Sequence, residues 1–259
     1  MIAETGTSKS RSTRASRDRD IDRMIRSAVA TLEEDIVFGR LLPRERLVED
    51  DLLVRFGLKR HVVRQVLLEL EHMGLVERKK NIGALVKSYT IKEVIDLYAV
   101  REIIETNCAR KIAMPVPTAK LDQLIAIQQQ HDVAAANSDP HVAFRVNITF
   151  HKALFALSDN PMLTEMISEA AQRAHIIRSL TLTTPHYLEQ ARQDHWNMIE
   201  ALKNGDHERL ATLCREHLIP SRDAYIQQQR ALLSRESKAA VAPDIETATS
   251  PDTVTPRSK

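Results

Sequence analysis

The stretch "LKRHVVRQVLLELEHMGLVERKKNIGALV", Leu58 to Val86, changes its period halfway along. Up to Gly74 the apolar residues recur at helical spacing, with Val63, Val66, Leu67 and Leu70 on one stripe and Arg60, His61, Arg64 and Gln65 on the opposite face. Beyond Gly74, two short apolar runs bracket Arg78, Lys79, Lys80 and Gly83, a pattern that reads as a small β-hairpin. A lone pair of arginines on a helix is ordinarily a solvated face. Here a basic hairpin follows, and Gly83 permits a tight turn near a phosphate. The apolar stripe would anchor the helix, and the long donors, with Lys59 just before them, would reach base edges and phosphates.

Working outward, Arg23 to Gly39 carries Ile25, Val29, Leu32, Ile36 and Val37 on one face, and a second short helix is predicted from Val48 to Phe56 before a turn at Gly57. Residues 21–89 thus read as a winged helix-turn-helix. Downstream the pattern is wholly helical, over about 91–113, 117–136, 140–158, 160–180, 184–204 and 206–233, divided by Pro- and Gly-containing breaks. Residues 90–234 are therefore predicted to form an all-α antiparallel six-helix bundle, and the fold class is mainly α. Residues 1–20 and 235–259 are polar and poor in large apolar side chains, so both read as disordered tails. Arg11, Arg14 and Arg17 could add a weak attraction to phosphates.

Composition agrees. In 259 residues there are six glycines and five phenylalanines, which argues against a large sheet. A formal net charge of +2 excludes no partner until it is resolved along the chain. Cys108 and Cys214 sit in helical patterns, and no apolar run has the length of a signal peptide or membrane span. The chain reads as a soluble cytoplasmic protein with no membrane partner.

Three histidines lie beside the apolar stripes of three bundle helices: His151 in "NITFHKALFALSDNPML", His195 before Met198, Ile199 and Leu202, and His217 after Leu210, Leu213 and Cys214. Asn147 precedes His151 by one helical turn, the spacing at which one helix presents two ligands. A buried imidazole needs partners for both nitrogens, and a shared cation would satisfy all three. Hydrogen bonds within a core would serve equally well, and spacing does not decide between the two. His72, His131, His141, His186 and His207 fall near helix ends or in polar stretches and read as solvated. Arg101 faces the apolar side of its helix, either to meet a ligand carboxylate or to pair with Glu105 at i+4; His175 and Arg178 are further candidates to line a cavity.

These segments resemble a known family. "GRLLPRERLVEDDLLVRFGLKRHVVRQVLLELEHMGLVERKKNIGALV" is similar to the winged helix-turn-helix of GntR bacterial transcriptional regulators, with Gly39, Pro43, Leu47, Gly57, Arg60, Val63, Arg64, Leu67, Gly74, Leu75 and Gly83 fitting its pattern. It departs at Arg44 (usually Gly), Lys59 (usually Ser), Val62 (usually Pro) and Gln65 (usually Glu). "DLYAVREIIETNCARKIA", "FHKALFALSDNPML", "DHWNMIEALKNGD" and "CREHL" resemble the effector-binding FCD domain of the FadR branch. Six helices rather than seven would place the chain nearer the VanR-like subgroup.

The resemblance implies a homodimer that binds a pseudo-palindromic double-stranded DNA operator and senses a small carboxylate, more often as a repressor. Lys59, Arg60, His61, Arg64, Gln65, Arg78, Lys79, Lys80 and Gly83 would face DNA. Arg101, Asn147, His151, His175 and Arg178 would face the effector. Relatives often hold zinc or nickel through an Asp-x-x-x-His pair and two more histidines, which carries over to Asn147, His151, His195 and His217. Replacing the acid by a neutral amide would weaken the metal site. A three-histidine metalloenzyme, with Glu105 or Glu169 as nominal base, and an architectural DNA-binding protein with an inert bundle are the rival readings; no catalytic motif supports the enzyme.

Overall fold

The computed structural model describes residues 7–241. Helix α1, Thr7–Val37, leads into the two-residue strand β1, Arg46–Leu47. Helices α2, Glu49–Phe56, and α3, Arg60–His72, follow, and then the hairpin β2, Val76–Lys79, and β3, Gly83–Val86. The strand order is β1-β3-β2, all antiparallel, with Arg46 opposite Leu85 and Val76 opposite Val86. The hairpin follows the sequence reading; β1 does not, because two residues carry no periodicity.

Gly57 closes α2 in the left-handed region at φ 62°, which turns the chain sharply into α3. Lys59 precedes α3 without a side-chain cap, as the departure from the family's Ser implies. Arg44 also adopts a left-handed backbone, φ 68°, at a position where the family's glycine would be unstrained.

The bundle comprises α4 (Ile91–Lys111), α5 (Thr118–Ala136), α6 (Pro140–Ala156), α7 (Pro161–Arg173), α8 (Ser179–Leu182), α9 (Pro185–Lys203) and α10 (His207–Val241). Local chemistry sets the starts. Thr90 and Glu93 form a capping box on α4, while Asp139 and Asn160 cap α6 and α7, each followed by proline at the first helical position. The six long helices match the expected ones, but 160–180 is interrupted: the chain leaves α7 at Ala174 and adds the four-residue α8.

Two boundaries are corrected. The helix begins at Thr7, within the expected tail 1–20, and α10 runs to Val241, within the expected tail 235–259. Neither stretch contains glycine or proline, and extending a formed helix costs far less than starting one. Val241 lies two residues before Pro243, where continuation is disfavoured. The tail expectations for 1–6 and 242–259 lie outside the described residues.

Packing does not stop at Tyr89. Leu32, Ile36, Val63, Leu70, Leu75 and Val86 form one buried cluster with Ile176, Ile177, Leu218 and Tyr225 of the bundle. Tyr225 donates to the Tyr89 carbonyl at 3.0 Å, and Tyr89 donates to the Gly74 carbonyl at 2.9 Å. A second cluster, including Cys108, Leu124, Phe150, Leu154, Met198, Ile199 and Leu210, forms the bundle interior. Both cysteines are buried free thiols, and burial pushes the Cys214 thiol well above its ordinary pKa.

Gly74 has φ 73°, and a Cβ there would stand 2.7 Å from the Tyr89 hydroxyl and 2.9 Å from Cγ of Arg173. Gly39, at φ 72°, faces open space. Gly74→Ala is therefore expected to cost about 2–3 kcal/mol and Gly39→Ala about 1 kcal/mol in urea unfolding. Equal costs would show that the Gly74 contact carries no weight.

Candidate nucleic-acid interface and ligand site

Helix α3 and the hairpin enclose a groove lined by Arg60, Arg64, Arg78, Lys79, Lys80 and Gly83. Arg60 reaches Asp50 at 2.6 Å and Glu49 at 3.3 Å, and Arg64 reaches Glu49 at 3.2 Å. The two guanidinium groups are thus held half-exposed over the start of α2 by acids that phosphates could replace. Arg46 of β1 joins this groove, with its guanidinium against Gly83. Sequence reasoning missed Arg46, since its place is set by pairing with Leu85. Lys59 and His61 are exposed at the start of α3 but outside the groove, and Gln65 is half-buried, donating to Glu69 at 2.7 Å. The structure does not bring these three together with the six groove residues.

In the bundle, α6, α9 and α10 bring His151, His195 and His217 together, with one ring nitrogen from each within 4.8 Å of the others. His217 Nδ1 donates to Asp194 at 2.9 Å. A carboxylate only accepts, so Nδ1 carries the proton of that contact and Nε2 is the nitrogen turned toward His151. Gln128 donates its amide to Asp132 at 2.9 Å, which leaves Gln128 Oε1 to accept from His195 Nδ1 at 2.8 Å. His195 Nε2 is consequently a buried lone pair with no protein partner. Nε2 of His151 and Nε2 of His217 lie 3.2 Å apart.

At that distance either the Nε2–H of one neutral ring donates to the other ring or a cation lies between them. A tetrahedral cation with nitrogen bonds of about 2.0–2.1 Å would hold its ligands roughly 3.3 Å apart. Asp194 and Gln128, bonded to the rings on the side away from that cation, fix their orientation as the supports of a metal site usually do. The donor set therefore fits a divalent metal. Burial, reinforced by the neighbouring histidines and arginines, lowers the His151 and His195 pKa values well below the ordinary imidazole range, so both rings are neutral.

Asn147 is 6% exposed on α6, one turn from His151. It lines a small second cavity with His131, Arg178, Asp194 and His217, rather than the larger one where the other predicted effector residues lie. The carboxylate beside the cluster is Asp194, immediately before His195 in sequence and on the far side of the His217 ring. His131 corrects the sequence reading: it is 1% exposed, packs edge-on against His195 at 5.2 Å, and burial lowers its pKa to about 4. Its polar neighbourhood "QQQHD" concealed a position covered by α9. His141 likewise is not simply solvated; its ring packs at a tilt against Phe38, with centroids 4.0 Å apart, and bonds Glu34 at 3.1 Å.

The larger cavity, about 390 Å³, is lined by Arg101, His151, His175 and Arg178, together with Glu33 and Arg145, which the sequence did not single out. Arg101 is 2% exposed and donates to Glu105 at 2.8 Å, and its Nη1 has no hydrogen-bond partner. Arg178 is 8% exposed; burial, with Arg101 nearby, lowers its pKa to about 10. Glu105 therefore faces two buried cations. Glu169, the other nominal base, lines a separate surface depression with α1 residues.

Comparison with known proteins agrees with this architecture. Residues 24–86 match the model of bacterial regulatory proteins of the gntR family, and residues 96–219 match the FCD domain. The HTH-type transcriptional repressor RspR of Escherichia coli K12 is 23% identical over 187 residues, covering 72% of this chain and 82% of the relative. The HTH-type transcriptional regulator YdhC of Bacillus subtilis is 25% identical over 182 residues, covering 68% and 80%. A GntR transcriptional regulator from Rhodococcus sp. RHA1 shares the fold at a TM-score of 0.66 and 21% identity, covering 80% of this chain and 98% of that one. Escherichia coli McbR/YncC gives 0.65 and 20%, covering 83% and 98%. The family and the relatives' names are those of regulators, not enzymes, and they do not single out the VanR-like subgroup. The chain belongs to the GntR family of bacterial transcriptional regulators, in the branch that carries an FCD domain.

Proposed function

We propose that the protein is a dimeric repressor whose FCD cavity takes a small carboxylate metabolite beside a divalent metal. The observation that carries the effector reading is the charge imbalance in the cavity: Arg101 and Arg178 are buried with Glu105 as the shared carboxylate, and Arg101 Nη1 lacks a partner. A buried cation without enough anionic partners is costly, and a ligand carboxylate would offset that cost. The repressor reading is supported by the name of the Escherichia coli relative.

His151, His195 and His217 would hold a zinc or nickel ion, with Asn147 offering only a neutral carbonyl oxygen. The metal would supply a fixed positive charge that draws an acid into the bundle. Arg101 would meet the acid with its planar fork while Glu105 orients it, and Asp194 and Gln128 would keep the imidazole lone pairs turned inward. On the DNA side, Arg60 and Arg64 would exchange Glu49 and Asp50 for phosphates and base edges. Two copies would read two half-sites of a near-palindrome.

Three outcomes are expected. In gel shifts on the DNA upstream of its own gene, Arg60→Ala with Arg64→Ala weakens binding by at least about 30-fold, on the order of 1–3 kcal/mol per side chain; unchanged binding would remove the DNA assignment. Thermal-shift screening of carboxylic acids finds a stabilising acid whose effect disappears in Arg101→Met plus Glu105→Leu, a pair that removes both buried charges together. Persistence of the shift in that variant would place the acid elsewhere. Asn147→Asp raises the metal retained after dialysis against chelator, read by elemental analysis; equal metal content in both proteins would exclude Asn147 from the ligand set.

A further inference from the structure

The cavity wall is built from both parts of the chain. Glu33 of α1 and Met73, just beyond α3, line the same space as Arg101, His151 and Arg178. Glu33 is only 4% exposed, although it is a carboxylate on the first helix of the winged-helix region. Its Oε1 accepts from His175 Nδ1 at 2.6 Å, and its Oε2 accepts from Arg145 Nη1. His175 is 3% exposed. Burial alone would raise the Glu33 pKa, but His175 and Arg145 outweigh it and hold the group ionised.

Helix α6 serves both surfaces. His141 and Arg145, one turn apart, bind Glu34, and Arg145 also donates to the Ala30 carbonyl at 2.9 Å. On the next turns of the same helix, Ile148, His151 and Lys152 line the cavity. The cavity therefore holds two sets of anion-binding groups, Arg101 with Arg178 and Arg145 with His175. The first set shares Glu105 and leaves Arg101 Nη1 without a partner, whereas both groups of the second are occupied by Glu33.

We propose that Glu33 is a built-in competitor for the effector. A dicarboxylic acid pairs one carboxylate with Arg101 and Arg178 and, with the other, takes Arg145 and His175 from Glu33. Ligand binding and the docking of α1 on the bundle then exclude one another. Because Leu32 and Ile36 of α1 share a core with Val63 and Leu70 of α3, releasing α1 alters the seating of the recognition helix. This inference rests on the carboxylate reading of the cavity, and it adds the ligand's second acid group and the route to DNA.

The test titrates full-length protein with glutarate by calorimetry and follows amide exchange in residues 24–37. Glu33→Gln keeps the shape and removes the charge. Support is glutarate binding about tenfold tighter in Glu33→Gln than in wild type, with α1 exchange raised by glutarate in wild type and already raised in the ligand-free variant. If wild type binds glutarate, the Arg101→Met plus Glu105→Leu variant does not, and Glu33→Gln binds no more tightly, the competitor role is overturned while the effector site stands. If neither wild type nor Glu33→Gln binds glutarate or its shorter and longer homologues, the carboxylate reading falls and this inference with it. Should Glu33→Gln fail to fold, Glu33→Asp, with a carboxylate one methylene shorter, must also bind more tightly than wild type, and equal or weaker binding overturns the proposal.

Discussion

The carboxylate of Glu33, buried between His175 and Arg145, ties the DNA-binding region to the bundle. A buried charge is tolerable only when its partners are in place, so breaking this contact is costly and it specifies how α1 sits against α6 and the turn after α7. Apolar packing surrounds it: Phe38 and Phe144 meet edge to face, and Phe144 meets the His175 ring edge to face. A specific polar contact set in an adaptable apolar surface gives the two regions one preferred arrangement. The cost of breaking it is set by a few groups that all face the ligand cavity.

The bundle interior follows the same electrostatic logic with the opposite sign. Arg101 and Arg178 are buried with Glu105 as their shared carboxylate, and His151 and His195 are held neutral by burial. Specific acceptors orient two of the rings, Asp194 for Nδ1 of His217 and Gln128 for Nδ1 of His195. Among the described residues, the carboxylate hydrogen-bonded to one of the three clustered histidines is Asp194, on the outer side of the His217 ring, while Asn147 is a neutral amide. In such a low-dielectric interior the unpartnered Nη1 of Arg101 would interact strongly with an entering anion.

Much of the fold was legible in the sequence because its determinants are local. The stripe of Val63, Val66, Leu67 and Leu70 announced α3, and Asp139-Pro140 and Asn160-Pro161 announced α6 and α7. The helical period also put His151, His195 and His217 on inward faces, since a residue's side of a helix depends only on its neighbours in sequence. Gly39, Gly57 and Gly74 fitted the family pattern, and all three adopt positive φ. Glu33 left a faint signal, an acid four residues after Val29 and four before the fully buried Val37, but nothing local separates such an acid from a solvated one.

The sequence by itself determined the element order, the winged-helix and bundle architecture, the basic face of α3 and the candidate ligands of the histidine cluster. The tertiary structure alone decided which groups pair. Gln128 with His195, Asp194 with His217, Glu33 with Arg145 and His175, and Arg46 with the hairpin all join different elements. The reading of His131 failed for the same reason, because its burial depends on α9 lying across α5. Periodicity reports which way a side chain points, whereas its partner and its charge state depend on the helix that arrives opposite.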